Sequence, residues 1–241
     1  MNRLILTLIV ILKNKSMRNL FIILTLTTLS VVTYGQKTKS VNLKQIQNVA
    51  NTVIYDNLYE RFLENDTTLT IEEYSILYYG EAYRSSFKPK NRHDTIRVLN
   101  SYLNTDKELI DFEKVLGYTK LILEEYPFNI DQIFMTAIAY EQLGEENLSK
   151  IWFYKYDKLI MTILNSGNGK SEKTAFIVTK IPDEYSIIDA LGLTPAGQQA
   201  LINKKKKLYD RIGIRENDYG INTLSVLLCA KKKSVPLWNM L

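Results

Sequence analysis

Apolar residues recur at three- and four-residue steps through most of residues 41–165, a period typical of amphipathic helices. The pattern is clearest in residues 41–64, 105–126, 129–143 and 146–165. A shorter helix is predicted from Thr70, because Thr70 and Glu73 form a capping box. In this box the Thr hydroxyl accepts an early backbone N–H and the Glu carboxylate reaches back to the start of the helix. Gly80 is expected to end this helix by adopting a left-handed conformation.

The pattern changes after the Ser-Gly-Asn-Gly sequence at residues 166–169. Residues 175–181 are short, rich in β-branched side chains and followed by Pro182, which predicts a strand. Asp183 is expected to cap a brief helix, and Gly192 is expected to end it. Further strands of a small antiparallel sheet are predicted where apolar and polar residues alternate, at 199–215 and 221–228.

These elements together predict an α+β fold that is predominantly α-helical. A helical region at 36–165 contains a repeat-like hairpin. It is followed by a small α+β region at 171–230, where an antiparallel sheet packs with a short helix, and by an irregular tail at 231–241.

The first residues predict the destination of the chain. Arg18 precedes an apolar run from residue 20 to residue 32, and small residues occupy positions 33 and 35. This layout is typical of a secretory signal peptide, here residues 17–35. We therefore expect export through the secretory pathway, to the periplasm or the extracellular space.

Two methionines can begin the chain. We interpret Met17 as the start and residues 1–16 as a start-site overrun. The alternative is a membrane anchor formed by an uncleaved N-terminus. A span that joined the two apolar runs would bury Lys13, Lys15 and Arg18 in hydrocarbon, which is costly.

The formal net charge of +5 is unevenly distributed. Residues 1–35 carry four basic and no acidic side chains, residues 203–241 carry nine basic and three acidic ones, and the segment between them is net acidic. A nucleic-acid-binding protein normally has a basic face through its folded body, so we expect no nucleic acid as a partner. For the basic run Lys204 to Lys207, contact with anionic lipid is one interpretation, and protection of a sheet edge is the favoured one.

The residues that usually carry chemistry are scarce. Cys229 is the single cysteine, so no internal disulfide is expected. His93 is the single histidine, which excludes a zinc site built from several His or Cys ligands. The acidic pairs mostly lie at helix starts, where capping and the helix dipole explain them. We expect no cofactor and no metal, and favour a protein that is not an enzyme.

Residues 130–164 resemble a tetratricopeptide repeat. Ala139 and Tyr140, followed by residues 143–144 (Leu-Gly), match the first helix of that repeat, and Ser149 and Phe153 match its second helix. Small residues let two helices approach, and the aromatic ring fills the groove between them. The alternative is an ordinary helical hairpin in a core, because a stable solenoid needs about three repeats.

A wider resemblance covers most of the chain. It rests on the segments LTIEEYSILYYGEAY (69–83), GKSEKTAFIVTKIPDEYSIIDALGL (169–193) and YDRIGIRENDYGINTL (209–224). With these segments the chain resembles an uncharacterised family of exported bacterial proteins, domain of unknown function 4919. The resemblance implies a signal peptide, a helical first part and export. It implies no activity and no catalytic residues.

Two functional hypotheses remain at this point. The favoured one is a non-enzymatic envelope protein that binds another protein or a peptide through its helical surface. The alternative is a protein that binds or hydrolyses a glycan or peptide in a Tyr-rich pocket around residues 74–93, where aromatic stacking and hydrogen bonding are both available. The candidate ligand-binding residues of this pocket are Tyr78, Tyr79, Tyr83, Arg84 and His93.

Overall fold

Helices dominate the structure, a computed structural model that describes residues 41–87, 94–103, 110–204 and 207–229. The described helices are α1 (Leu43–Val49), α2 (Val53–Leu63), α3 (Ile71–Glu81), α4 (Asp94–Leu103), α5 (Phe112–Glu125), α6 (Ile130–Gln142), α7 (Glu146–Leu164) and α8 (Ile181–Ala190). The described strands are β1 (Phe176–Val178), β2 (Pro195–Lys204), β3 (Lys207–Ile214) and β4 (Thr223–Leu228). The predicted α+β, helix-dominated class is confirmed. The signal peptide, His93 and the tail lie outside the described residues.

The single helix predicted over residues 41–64 is two helices, α1 and α2. The chain turns between them at residues 50–52, where Thr52 Oγ1 donates to the carbonyl of Val49 at 2.8 Å. Arg84 Nη1 donates to the carbonyl of Ala50 at 2.9 Å. Both carbonyls therefore find side-chain partners at the turn, which helps to satisfy the end of α1.

Helix α3 begins at the predicted capping box. The Glu73 backbone N–H donates to Thr70 Oγ1 at 3.2 Å, and the Thr70 backbone N–H donates to Glu73 Oε2 at 2.7 Å. Arg61 of α2 donates to the other oxygen of Glu73 at 2.8 Å. The cap of α3 is therefore also tied to the preceding helix.

Gly80 does not end α3, because the helix continues to Glu81 with its C-cap at Ala82. A Cβ atom at Gly80 would lie 2.8 Å from the ring of Tyr55. The Tyr55 hydroxyl donates to the carbonyl of Leu77 at 3.2 Å, which holds that ring against α3. Glycine is required here for close packing between α2 and α3.

Replacing Gly80 by alanine should lower the free energy of unfolding by about 1–3 kcal/mol, because the added methyl group overpacks the Tyr55 ring. Gly117, within α5, provides a matched control because a Cβ there would have no neighbour within 4 Å. Gly117→Ala should raise stability by about 0.5–1 kcal/mol through helix propensity. Urea denaturation of both variants measures the difference. Equal effects at the two positions would contradict the packing role of Gly80.

The helices from α5 onward start and stop at recognisable signals. Asp111 accepts two backbone N–H groups at the start of α5, and Asn129 accepts that of Gln132 at the start of α6. Gly144 follows α6 with φ of 79°, a left-handed conformation that suits glycine. The helix predicted over residues 105–126 begins only at Phe112, because Asp111 caps it there; residues 104–109 lie outside the described part of the chain.

The sheet is mixed, with strand order β1-β4-β3-β2, so the prediction of an antiparallel sheet is wrong for β1. Strands β2, β3 and β4 are antiparallel neighbours, whereas β1 runs parallel to β4 with Phe176 opposite Val226. The predicted strand at 175–181 ends at residue 178, because Ile181 already begins α8 with Pro182 in its first turn. Asp183 therefore lies inside that turn and is not the cap. The helix after β1 is part of the long connection that a parallel pair needs.

One hydrophobic core is shared by α1–α3, α5–α8 and the sheet. Its large members include Phe62, Tyr74, Tyr78, Phe128, Ile163, Phe176 and Val226. A second, smaller cluster lies where α4, α5 and α6 meet, and contains Leu99, Val115, Ile122, Tyr126 and Ala139. Among the residues that the structure describes, no helix has the length and apolar character needed to cross a membrane.

Candidate functional site

The tyrosines of α3 are interior side chains. Tyr78 and Tyr79 are both 0% exposed. The Tyr78 hydroxyl donates to Asp183 Oδ2 at 2.6 Å and accepts the backbone N–H of Thr179 at 3.1 Å. The Tyr79 hydroxyl lies 3.1 Å from the carbonyl of Ile177, to which it donates. The two hydroxyls thus connect α3 to β1 and to the start of α8.

The end of α3 and the residues after it hold the other predicted ligand-binding side chains. Arg84 forms an ion pair with Asp56 at 2.9 Å, and its guanidinium lies 4.5 Å from the centre of the Tyr55 ring. The Tyr83 hydroxyl lies 3.5 Å from Cys229 Sγ. His93 lies outside the described residues. Packing accounts for the contacts of Tyr78, Tyr79 and Arg84, and a ligand-binding role for the whole set stays a prediction.

A buried ion pair lies next to these tyrosines. Lys180 is 1% exposed, and its Nζ lies 3.3 and 3.2 Å from the two carboxylate oxygens of Glu81. The rings of Phe87 and Tyr126 lie 5.6 and 5.3 Å from the same ammonium group. A charge buried to this degree needs a partner, and Glu81 supplies it across the junction between α3 and α8.

Asp183 completes this polar junction. Burial raises the pKa of Asp183 to about 7, although the nearby Lys180 ammonium opposes the rise. Thr179 Oγ1 lies 3.3 Å from the same carboxylate oxygen that Tyr78 contacts. The sequence suggested only a helix cap at Asp183, because its partners lie far away along the chain.

A second buried carboxyl group, Glu184, faces Asp210 of β3. Glu184 is 1% exposed and Asp210 is 3% exposed. Within the described part of the chain, neither Glu184 Oε2 nor Asp210 Oδ1 has a hydrogen-bond donor. Burial, followed by the charge of Asp210, raises the pKa of Glu184 to about 9. At neutral pH Glu184 therefore retains its proton.

Strand β2 covers this carboxyl pair. The side-chain amide of Gln199 donates to Asp210 Oδ2. The Tyr185 hydroxyl in turn donates to Gln199 Oε1 at 3.3 Å. The carboxyl pair thus links α8, β3 and β2 through hydrogen bonds. Since both carboxyl groups are almost fully buried, they stabilise the fold and offer a substrate little surface.

Aromatic side chains on α6 and α7 form a partly exposed cluster. The ring of Phe134 lies 5.8 Å from that of Phe153 and 4.9 Å from that of Tyr156, measured between centroids. All three side chains keep intermediate exposure. The rest of α6 is mostly interior, with buried residues from Ile130 to Ala139. The accessible part of this hairpin therefore includes the aromatic cluster and the turn after α6.

Three carboxylates lie near Tyr156 of this aromatic cluster. Burial raises the pKa of the Tyr156 hydroxyl, and the charges of Asp157, Asp131 and Asp189 raise it further. Burial also raises the pKa of Asp157 to about 6, with Lys158 opposing the rise. Lys158 directs its Nζ to the Tyr154 ring, 5.0 Å away. We call the surface formed by Phe134, Phe153, Tyr156, Asp131, Asp157 and Asp189 the aromatic–acidic patch.

The described residues contain no group of three or more His, Cys, Asp or Glu side chains placed to hold a metal ion. The geometry that is present consists of buried polar links and one mixed aromatic and acidic surface.

Comparison with protein families gives a match. The family "Domain of unknown function (DUF4919)" matches residues 40–228. No curated protein and no solved structure matches the chain.

Proposed function

The chain belongs to the DUF4919 family, and we propose that it is an exported, non-enzymatic protein that binds a basic segment of another envelope protein through its aromatic–acidic patch. The observation that carries this proposal is the partly exposed cluster of Phe134, Phe153 and Tyr156. Aromatic side chains are enriched where proteins contact one another, and they often supply most of the binding energy.

The position of the cluster supports this role. Phe134 and Phe153 stay outside both hydrophobic clusters described above. The two side chains lie on adjacent helices whose other faces are held by the core, so their rings are presented on a rigid support. A rigid surface loses little conformational entropy on binding, which favours affinity.

The negative charge of the patch favours a positively charged partner. The carboxylates of Asp157, Asp131 and Asp189 lie around Tyr156. Arginine and lysine can pair with these carboxylates, and their cations are also attracted to aromatic faces. A Lys- or Arg-rich segment therefore fits the patch better than an acidic one.

The buried chemistry supports a binding role over catalysis. Tyr78, Tyr79, Asp183 and Glu184 carry the groups best suited to acid–base chemistry, and each is at most 2% exposed. Catalytic groups must reach the reacting atoms of a substrate. The expectation of export rests on the signal-like residues 17–35 and on the exported character implied by the family resemblance.

Affinity capture tests this proposal directly. The tagged exported chain is incubated with a solubilised envelope extract of the source cell, alongside Phe153→Ser and the control Val53→Ser. Val53 is 68% exposed on α2 and lies outside the patch. Wild type and the control should retain one protein through a cross-linkable Lys- or Arg-rich segment, and high salt should release it.

Phe153→Ser should weaken that association by about 30-fold, the effect of losing a central aromatic contact. Circular dichroism confirms that the variant is folded. The proposal is wrong if the wild type retains no protein, or if Phe153→Ser retains the same proteins as well as the wild type does. It is also wrong if the retained segment lacks basic residues.

A further inference from the structure

Strand β2 forms one edge of the sheet and is its longest strand. It spans ten residues, Pro195–Lys204, and of the strands that the structure describes only β3 pairs with it, in the sheet order β1-β4-β3-β2. The opposite edge, β1, has three residues. Backbone N–H and C=O groups that point away from β3 along a strand of this length form a template for another strand.

The devices that normally block such an edge are sparse in β2. Residues 196–203 contain no charged side chain and no proline. Lys204, the one charged residue of β2, forms an ion pair with Glu172 at 2.5 Å. Its ammonium group is therefore engaged at one end of the strand, away from the middle of the edge.

A bulge limits the part of β2 that could pair. The register with β3 shifts between Pro195 and Gln199, and Gly197 within this stretch has φ of 80°. From Gln199 to Lys204 each residue pairs with β3 in regular register. This regular segment, residues 199–204, is the edge available to a partner strand.

We propose that two copies of the chain associate by antiparallel pairing within residues 199–204, which joins their sheets into one. Two identical antiparallel strands are related by a twofold axis, the commonest symmetry of protein dimers. This axis is perpendicular to the sheet and passes beside a residue that pairs with its own copy. With Leu201, which is 39% exposed, at this position, it lies opposite Leu201 of the partner subunit. The two leucines then contact each other on one face of the joined sheet.

The charge pattern favours a second copy in this orientation. With Leu201 on the axis, each Lys204 lies three residues from it, so the two lysines are about 20 Å apart along the strands. Charges at that distance are largely screened at physiological salt. Parallel pairing would instead place the two lysines side by side. The proposal is independent of the aromatic–acidic patch, which lies on α6, α7 and α8.

Sedimentation equilibrium of the exported chain over a range of concentrations tests the dimer. Leu201→Lys places a charge at the centre of the edge, and Val53→Lys makes the same addition on an exposed position of α2. Wild type and Val53→Lys should give the dimer mass, whereas Leu201→Lys should give the monomer mass. A wild type that is monomeric at a chain concentration of about 1 mM would overturn the proposal. At this concentration, a dimer whose association free energy is only about −4 kcal/mol is detectable.

Hydrogen exchange of the wild type keeps the test decisive if Leu201→Lys fails to fold. Alternate amides within residues 199–204 should gain protection as the chain concentration rises, because they become hydrogen-bonded across the dimer. A dimer that forms without this added protection pairs elsewhere, and that result would also overturn the proposal.

Discussion

Replacing Lys180 by methionine is expected to lower the free energy of unfolding by about 3–5 kcal/mol at pH 7. Methionine retains the length and apolar character that pack between Phe87 and Tyr126. It removes the ammonium group that lies 3.2 and 3.3 Å from the oxygens of Glu81, whose side chain is only 11% exposed. Removing the cation from a buried carboxylate costs far more folding free energy than the intact ion pair contributes.

Asp183 enlarges this effect. The Lys180 ammonium lowers the pKa of Asp183 against the effect of burial, so its loss withdraws support from two carboxyl groups. Unfolding in guanidinium chloride, followed by circular dichroism, measures the change. The expected loss is a large share of the stability of an ordinary domain, so Lys180→Met is best prepared at low temperature.

The double variant Lys180→Met with Glu81→Leu is the matched control. Replacing both members of a buried pair by apolar side chains is often close to neutral, so the double variant should recover most of the lost stability. If Lys180→Met alone costs less than about 0.5 kcal/mol, the ion pair is not buried in solution as it is in the structure. Equal losses in both variants would assign the cost to packing around Phe87.

The local elements of this fold follow from local sequence signals. The capping box of Thr70 and Glu73 and the left-handed Gly192 after α8 are both as expected. Each signal works within one helical turn, where the residue types alone determine which backbone groups are satisfied. These helix ends were therefore predictable, whereas the break between α1 and α2 and the start of α5 at Phe112 were not.

The polar junctions depend on contacts that no local pattern specifies. Lys180 and Glu81 are 99 residues apart along the chain, and Tyr78 and Asp183 are 105 apart. The adjacent acids at 183 and 184 suggested helix capping, yet both side chains are buried against distant partners. The Ala-Phe-Ile-Val sequence before them indicated a strand and could not indicate that it pairs parallel to β4.

The same distinction applies to glycine and tyrosine. Gly80 in a helix suggested a stop, because the ring of Tyr55 that requires it comes from another helix. The tyrosines of α3 suggested a ligand pocket, because a tyrosine that stacks on a ligand and one that fills a core have the same sequence pattern. Only the packing of α3 against β1 and α8 distinguishes the two roles.

The stability of the wild-type chain should fall as pH rises from about 5 to 9, and Glu184→Gln should remove most of that fall. The pKa of Glu184 is raised from an ordinary value of 4.5 to about 9, chiefly by burial. Between these values the folded state retains a proton that the unfolded state has released. The stabilisation is therefore complete below pH 4.5 and is lost as pH rises toward 9.

Glutamine at position 184 keeps the shape of the protonated carboxyl group and donates an N–H to Asp210 at every pH. The variant should be as stable as the wild type near pH 5 and more stable at pH 9, by on the order of 5 kcal/mol. Asp183, whose pKa is raised to about 7, is unchanged in the variant. A smaller decline centred near neutral pH should therefore remain in both proteins.

Urea denaturation at intervals from pH 5 to pH 9 measures the two curves. Glu124→Gln, at an exposed position of α5, removes a carboxylate without touching the pair and should follow the wild-type curve. Parallel curves for wild type and Glu184→Gln would mean that Glu184 does not retain its proton in the folded state. Strand β2 contacts this pair through Gln199. In the wild type, the backbone amides of β2 should therefore exchange faster at pH 9 than at pH 5, even after correction for the intrinsic exchange rate. In Glu184→Gln this increase should be smaller.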